Sequence, residues 1–204
     1  MKSMYIGSGD VGALMMGKDT DGHIKLLQRF VSDSKPYYHA KASPIDALRT
    51  GAILEERYGF ILDESYYPQH VVICKEMSVF KCSLDFAKID GGAVVDFDEL
   101  KTCNFDDFLM FEQFRNNPEN AIDFIKKYYK KNYAQVQQQL LCTGLSSANL
   151  VFLAVYSYDD AENEVREIKH NEFIRFRIYR DEIVISEIKK RGEIFQTIKD
   201  YYCG

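Results

Sequence analysis

Two apolar runs meet at Asp90-Gly91-Gly92, and that junction constrains the fold more than any other stretch of the chain. An acid followed by two glycines suits a tight turn that needs positive φ, so the flanking runs are predicted to fold back on each other as antiparallel strands. The first run is Val79–Leu84, leading into Asp85-Phe86, and the second is Ala93–Leu100, leading into Lys101. Side chains alternate along a strand, so Glu99 and Lys101 point to the same side. The turn then brings Asp85 beside Glu99, and two carboxylates share a small volume with one ammonium.

Crowded carboxylates disfavour each other's ionisation unless a cation sits among them. Oxygen donors of this kind suit a hard divalent ion such as magnesium. An ion held there, next to a lysine, could activate water against a phosphodiester. Asp85, Glu99 or Lys101 alone would read as a solvated surface charge; their pairing across the glycine turn changes that. Asp96 and Asp98 fall on the opposite strand face, where exposure to solvent is the expectation.

The 204 residues suffice for one domain with a sizeable core. With 46% hydrophobic and 28% charged residues the composition is that of a globular protein in water. No apolar stretch approaches the roughly twenty residues of a membrane-spanning helix. Met1–Tyr5 has no apolar signal segment, so a cytoplasmic location with no membrane association is expected. The five cysteines are scattered without a C-x-x-C pair, which argues against a disulfide framework or a zinc site and for small buried hydrophobes. The four histidines show no ligand spacing. A formal charge of −5 argues against a generally basic nucleic-acid binder, while leaving room for a local basic groove.

Along the chain, Ser8-Gly9-Asp10 opens a short helix through Met16, and another is expected over Ile24–Val31. Ser43-Pro44-Ile45-Asp46 is a helix start, with Ile45, Leu48, Ala52 and Glu55 at helical spacing and Gly59 as the stop. Val71–Cys74 reads as a strand before Val79–Leu84, with Glu76-Met77-Ser78 as the turn. Asn117-Pro118-Glu119 opens a long helix, broken near Asn132, that ends at Thr143-Gly144. Leu150–Tyr156 reads as a central strand, Glu172–Tyr179 and Glu182–Ile185 as strand or helix edges, and Ser186–Tyr201 as a final amphipathic helix. The abundant tyrosine and phenylalanine read as packing.

Several segments carry a resemblance: Gly7-Ser8-Gly9-Asp10-Val11, Gly51-Ala52-Ile53-Leu54-Glu55, Cys82-Ser83-Leu84-Asp85, Glu99-Leu100-Lys101, Tyr133-Ala134-Gln135-Val136-Gln137 and Thr143-Gly144 before Leu150–Tyr156. In this order they resemble the PD-(D/E)xK nuclease superfamily and, within it, the phage lambda exonuclease and YqaJ-like viral recombinases. An isolated E-x-K is weak; the ordered set is more specific. The resemblance implies an α/β fold with a restriction-endonuclease-like core, a central mixed β-sheet flanked by helices, over residues 1–204.

It further implies that Asp85, Glu99 and the Leu100 backbone carbonyl hold Mg²⁺, or Mn²⁺ as a substitute. Glu55 would bind a second metal or a metal-bound water. Lys101 would orient or help deprotonate the attacking water, and Gln135 would bind the lysine or the scissile phosphate. Gln137 falls on a different helix face, and plain helix-surface polarity is the rival reading for Gln135, which lies in a run with Gln137, Gln138 and Gln139. Ser8, Lys18, Lys127, Lys130 and Lys131 would contact substrate. The implied partners are double-stranded DNA, a single-strand annealing protein, and further copies of the chain in a homo-oligomer such as a trimer. Leu84 and Phe86 stand where the family has Pro and Gly around the metal-binding Asp. The N-terminal Arg that holds a 5′-phosphate has no counterpart, and Lys18 is its candidate substitute. An endonuclease and a non-catalytic DNA- or partner-binding relative are the rival expectations.

Overall fold

The chain is seen here as a computed structural model that describes residues 4–32, 44–156, 159 and 167–203. Asp90-Gly91-Gly92 makes the expected turn: Gly91 and Gly92 have φ of 55° and 79°, conformations that glycine adopts without steric cost. The strands it joins are longer than the apolar runs alone indicate. They are β3 (Phe80–Asp90) and β4 (Ala93–Asn104), preceded by β1 (Ile6–Gly7) and β2 (Tyr66–Ile73) and followed by β5 (Ser147–Val155) and β6 (Phe173–Tyr179).

The sheet runs in the order β1-β3-β4-β5-β6, with β2 also paired to β3. β1 with β3 and β4 with β5 are parallel; the other pairs are antiparallel, so the sheet is mixed. β5 lies between β4 and β6 and is buried almost throughout, as its β-branched and apolar run predicts.

Seven helices surround the described sheet: α1 (Val11–Leu14), α2 (Asp21–Ser32), α3 (Pro44–Gly59), α4 (Phe105–Glu112), α5 (Ala121–Tyr128), α6 (Lys130–Thr143) and α7 (Glu182–Cys203). One sheet face carries Phe97, Leu150, Phe152 and Phe176 into the larger core, together with residues of α1, α2, α4, α5, α6 and α7. There the aromatic residues pack as expected, with Phe111 stacked on Phe152 at 3.8 Å between ring centroids. The other face carries Phe86, Leu100, Val151 and Leu153 against Leu54 and Tyr58 of α3.

Several expectations shift. The long helix breaks at Tyr129 (φ −118°, ψ 41°) rather than near Asn132, and Gly144 (φ 75°) ends it with its N–H on Leu140 O at 2.9 Å. In α3 the core-facing residues are Leu54 and Tyr58, whereas Ala52 is exposed. The Ser43 cap lies outside the described residues. Helix α4 had no sequence counterpart; Asn104 starts it by accepting the Asp107 N–H at 2.8 Å. All five cysteines are free, and Cys74, Cys82 and Cys142 are buried.

One irregularity of the sheet positions everything that follows. β4 pairs with β3 only over Phe86–Asp90, and β1 pairs with it only at Phe80 and Lys81. Between them, the Cys82–Asp85 stretch of β3 has β2 on one side and neither β1 nor β4 on the other.

Candidate active site

The hairpin register pairs Phe86 with Asp98 and thereby sets Asp85 directly opposite Glu99, as the sequence predicts. Where β4 leaves β3, the Asp85 side chain takes over the role of a ladder carbonyl: its Oδ2 accepts the Leu100 N–H at 2.8 Å. Lys101 shares the Glu99 face and donates from Nζ to Glu99 Oε1 at 2.6 Å. Glu99 itself is fully buried.

Helix α6 supplies the remaining partners of Glu99. Gln135 Nε2 donates to Glu99 Oε1, and Gln139 Nε2 donates to Glu99 Oε2 and to Ser83 O, the latter at 3.3 Å. Four residues apart, Gln135 and Gln139 lie on one helix face. That spacing was the available signal for Gln139, which reads as surface polarity in the sequence and is buried in the fold. The same correction applies to its neighbours. Gln138 donates to Ile6 O at 3.2 Å and Lys81 O at 3.5 Å. Gln137 donates to Tyr179 O at 2.9 Å and accepts from Asp181 N at 2.8 Å. The opening in the sheet leaves backbone carbonyls that the Gln138 and Gln139 amides satisfy, while Gln137 satisfies the backbone where β6 ends, which is why this polar run is buried.

Glu55 comes from α3, on the opposite layer. It accepts from Gln69 Nε2 at 2.6 Å, and Gln69 Oε1 accepts from Ser83 Oγ at 3.0 Å. Gln69 has φ 52°, a left-handed conformation rare outside glycine, and no sequence signal marked it. Its strained backbone holds the amide between Glu55 and β3.

The electrostatics agree with a shared site. Burial, then the charge of Glu99, pushes the Asp85 carboxyl well above the usual range. Burial also raises Glu55, with Glu99 adding to it against the Gln69 hydrogen bond. For Lys101 burial opposes the charge, but Glu99, Asp85 and Glu55 outweigh it and hold the ammonium above its ordinary value. Burial is the larger cause for both carboxyls, whereas the Lys101 shift, which runs against burial, reports the negative charge gathered around it.

Asp85, Glu99 and Glu55 offer only oxygen. Among the described residues no three His, Cys, Asp or Glu side chains converge to enclose an ion by themselves. Two facing carboxylates completed by water suit magnesium, which keeps several waters, better than the closed shells of structural zinc. Leu100 follows Glu99 and precedes Lys101 in β4.

Asp98 corrects the expectation of exposure. It is fully buried on the opposite face, where Oδ2 accepts from Tyr58 Oη at 2.6 Å and Arg175 at 2.7 Å, and Oδ1 accepts from Asn149 Nδ2 at 2.8 Å. Burial, then the Asp98 charge, pushes the Tyr58 phenol far above its ordinary value, so it stays a donor. Asp96 is half-buried and bonds Arg177 at 2.7 Å. Leu84 and Phe86 are both buried, Phe86 edge-on to Tyr58.

The substrate-contact candidates are dispersed. Ser8 is buried in the 3₁₀ turn after β1, and Lys18 is exposed before α2. Lys127 is exposed on α5 over the Tyr128 ring, and Lys130 and Lys131 are exposed in the first turn of α6. Lys131, Gln135 and Gln139 follow at four-residue spacing, so one stripe of α6 runs from an exposed cation to Glu99.

The sequence matches no family model and no curated protein. Solved structures do match. The alkaline exonuclease LHK-Exo of Laribacter hongkongensis aligns over 98% of this chain and 90% of its own, with a TM-score of 0.62 and 14% identity. Its complex with dAMP aligns over 97% and 89%, with a TM-score of 0.59 and 16% identity. A phage related exonuclease from Haemophilus somnus 129PT aligns over 97% and 94%, with a TM-score of 0.59 and 12% identity.

The chain has the fold of these exonucleases. Each alignment spans nearly the whole of both chains, so the likeness includes the mixed sheet and its flanking helices rather than one motif. Among the described residues no helix is long and apolar enough to cross a membrane.

Proposed function

We propose that this chain is a magnesium-dependent deoxyribonuclease that removes nucleotides from the ends of double-stranded DNA. The observation that carries the reading is Asp85 facing Glu99 across the hairpin, with Lys101 on the same face and Glu55 in electrostatic reach. The exonuclease fold supports it.

Asp85 and Glu99 would hold the ion, with Glu55 facing it from α3. Once bound, magnesium supplies positive charge that acidifies water and stabilises charge developing on the phosphoryl oxygens. Lys101, as an ammonium, can neutralise and hydrogen-bond a phosphoryl oxygen or hold the attacking water in line. Gln135 and Gln139 fix the Glu99 carboxylate through both oxygens, so its position costs little reorganisation when substrate arrives. Lys127, Lys130 and Lys131 would meet DNA phosphates and make binding salt-dependent. A single-strand annealing protein as partner and a ring-like homo-oligomer belong to the same reading.

A second reading is a DNA- or partner-binding relative without catalysis. It is favoured by Glu99, which is fully buried with both oxygens engaged by Lys101, Gln135 and Gln139. Digestion of linear and circular duplex with magnesium and with EDTA separates the readings. Magnesium-dependent loss of the linear form alone is the expected result. Cutting of circles would make the chain an endonuclease, and no cutting by folded protein would leave the binding module.

A further inference from the structure

Three thiols that the carboxylate cluster does not use meet one another in the larger core. Cys74 lies one residue past β2, and its N–H donates to Phe80 O at 2.9 Å. Val72 pairs with Cys82, so Cys82 sits on the diagonal from Cys74 on the same sheet face. Cys142 comes to that face from the last turn of α6, and Cys74 Sγ donates to the carbonyl of its neighbour Leu141 at 3.8 Å. All three cysteines are buried together.

A core cysteine usually acts as a small hydrophobe. Cys74 departs from that, because the turn after β2 aims a donor at it: Met77 N–H reaches its Sγ at 3.4 Å. The hydrogen bond from Cys142 is the largest influence on Cys74. Together with the Met77 and Glu76 N–H groups it outweighs burial and holds this thiol down at about 6. Cys142 is pushed the other way, by its hydrogen bonds to Cys74 first and Cys82 second. Near neutral pH one sulfur is therefore a thiolate and its neighbour a thiol, the division of roles an attacking and a resolving cysteine need. Cys103 stands elsewhere, on β4, where burial and then Asp107 push its thiol up to about 12.

We propose that Cys74 and Cys142 form a reversible oxidation site that closes to a disulfide when a hydroperoxide reaches the end of β2. The Cys74 thiolate attacks a peroxide oxygen, the O–O bond breaks, and the alkoxide or hydroxide that leaves takes up a proton. The Cys142 sulfur then attacks the Cys74 sulfenic acid and gives up its proton, and the sulfenyl oxygen departs as water. Two thiols are oxidised, and one hydroperoxide is reduced to an alcohol and water. The new bond ties the end of β2 to the helix whose Gln135 and Gln139 hold Glu99. It is a switch rather than a framework, since a reducing compartment keeps it open until an oxidant arrives. No step uses the carboxylates, so the inference stands apart from the nuclease reading.

The test exposes the reduced, folded chain to hydrogen peroxide at neutral pH. Remaining thiols are alkylated, and a digest is mapped by mass spectrometry before and after a mild reductant. Circular dichroism follows the fold throughout. A peptide linking Cys74 to Cys142 should appear and vanish on reduction, with Cys74 reacting about tenfold faster than Cys103. If exposure alone governed reactivity, Cys103 and Cys203, both less buried than Cys74, would react first. In Cys142→Ser, dimedone should trap Cys74 as the sulfenic acid, whereas Cys82→Ala should still form the link.

The wild-type digest needs no variant and decides the matter even if a substitution impairs folding. Absence of the linked peptide, a link from Cys142 to Cys82 instead, or earlier oxidation of Cys103 or Cys203 would overturn the assignment. So would a link that forms only once the circular dichroism of the native chain is lost.

Discussion

Tyr58→Phe isolates one hydroxyl at the centre of the fold. Tyr58 is fully buried, and its Oη is 2.6 Å from Asp98 Oδ2 and 2.7 Å from Arg175. Phenylalanine fills the same volume, so almost no cavity term arises. Two hydrogen bonds go, the one donated to the buried Asp98 carboxylate, about 1.5–3 kcal/mol, and the one accepted from Arg175, which the partly exposed guanidinium can replace with water. The loss stays below the cost of orphaning a buried charge outright, because Asp98 keeps Asn149 at 2.8 Å and Arg175 at 2.7 Å. The Arg175 side chain is 39% exposed and can recover water, which places the expected value near the middle of that range, about 2 kcal/mol. For a chain of this size that corresponds to a drop in Tm of about 4–8 °C. Urea denaturation followed by circular dichroism measures it, with the slope m unchanged and the midpoint lowered. A loss under about 0.5 kcal/mol would refute the reasoning, since the hydroxyl would then have found water in place of the carboxylate.

Other perturbations test separate parts of the structure. Gly192→Ala should destabilise, against its helix propensity gain of about 1 kcal/mol. A Cβ there would overlap the Phe80 ring, and overpacking a core costs about 1–3 kcal/mol, so a stabilised variant in a thermal melt would contradict the packing of α7 on β3. Asp181 caps α7 through the Val184 N–H at 3.3 Å and meets Lys126 at 3.0 Å; burial opposes its charge, but these partners win and hold its pKa low. A depressed carboxyl stabilises above its unfolded pKa of about 3.9 and loses that contribution as the pH falls through its lower folded value. The stability gap between wild type and Asp181→Asn should therefore be full above about pH 4 and close below it. Lys101→Ala should abolish cleavage while calorimetry still detects magnesium, and Glu99→Gln should weaken magnesium binding itself. Loss of magnesium binding in Lys101→Ala would contradict the roles given to these side chains.

The hairpin is legible in the sequence because its determinants are local. Two adjacent glycines supply the positive φ of the turn and the period of two fixes the face, but the turn pairs Asp90 with Ala93, and it is the register shift between Lys88 and Ile89 that moves the ladder by one and sets Asp85 opposite Glu99 rather than Asp98. The helix stop at Gly144 and the buried strand β5 are legible for the same reason. Strand ends are not, because β3 and β4 extend to wherever a partner strand continues their ladder.

Asp98 and the α6 glutamines show what local pattern leaves undetermined. Strand alternation places Asp98 on the face opposite Glu99, and that much holds. Whether the face meets water depends on Tyr58, Asn149 and Arg175, which are 40, 51 and 77 residues away in the chain. Likewise Gln138 and Gln139 look like a wet helix surface until the opening beside β3 presents carbonyls that need donors, and Gln137 until the chain leaving β6 brings Tyr179 O and Asp181 N against it. Sequence alone therefore set the turn and the alternation of strand faces, both functions of dihedral preference and period, whereas the register that pairs the two acids came from the shift between Lys88 and Ile89. Only tertiary structure decided which polar groups are buried and where Glu55 and Gln69 meet the cluster, because burial depends on partners that folding brings together from distant segments.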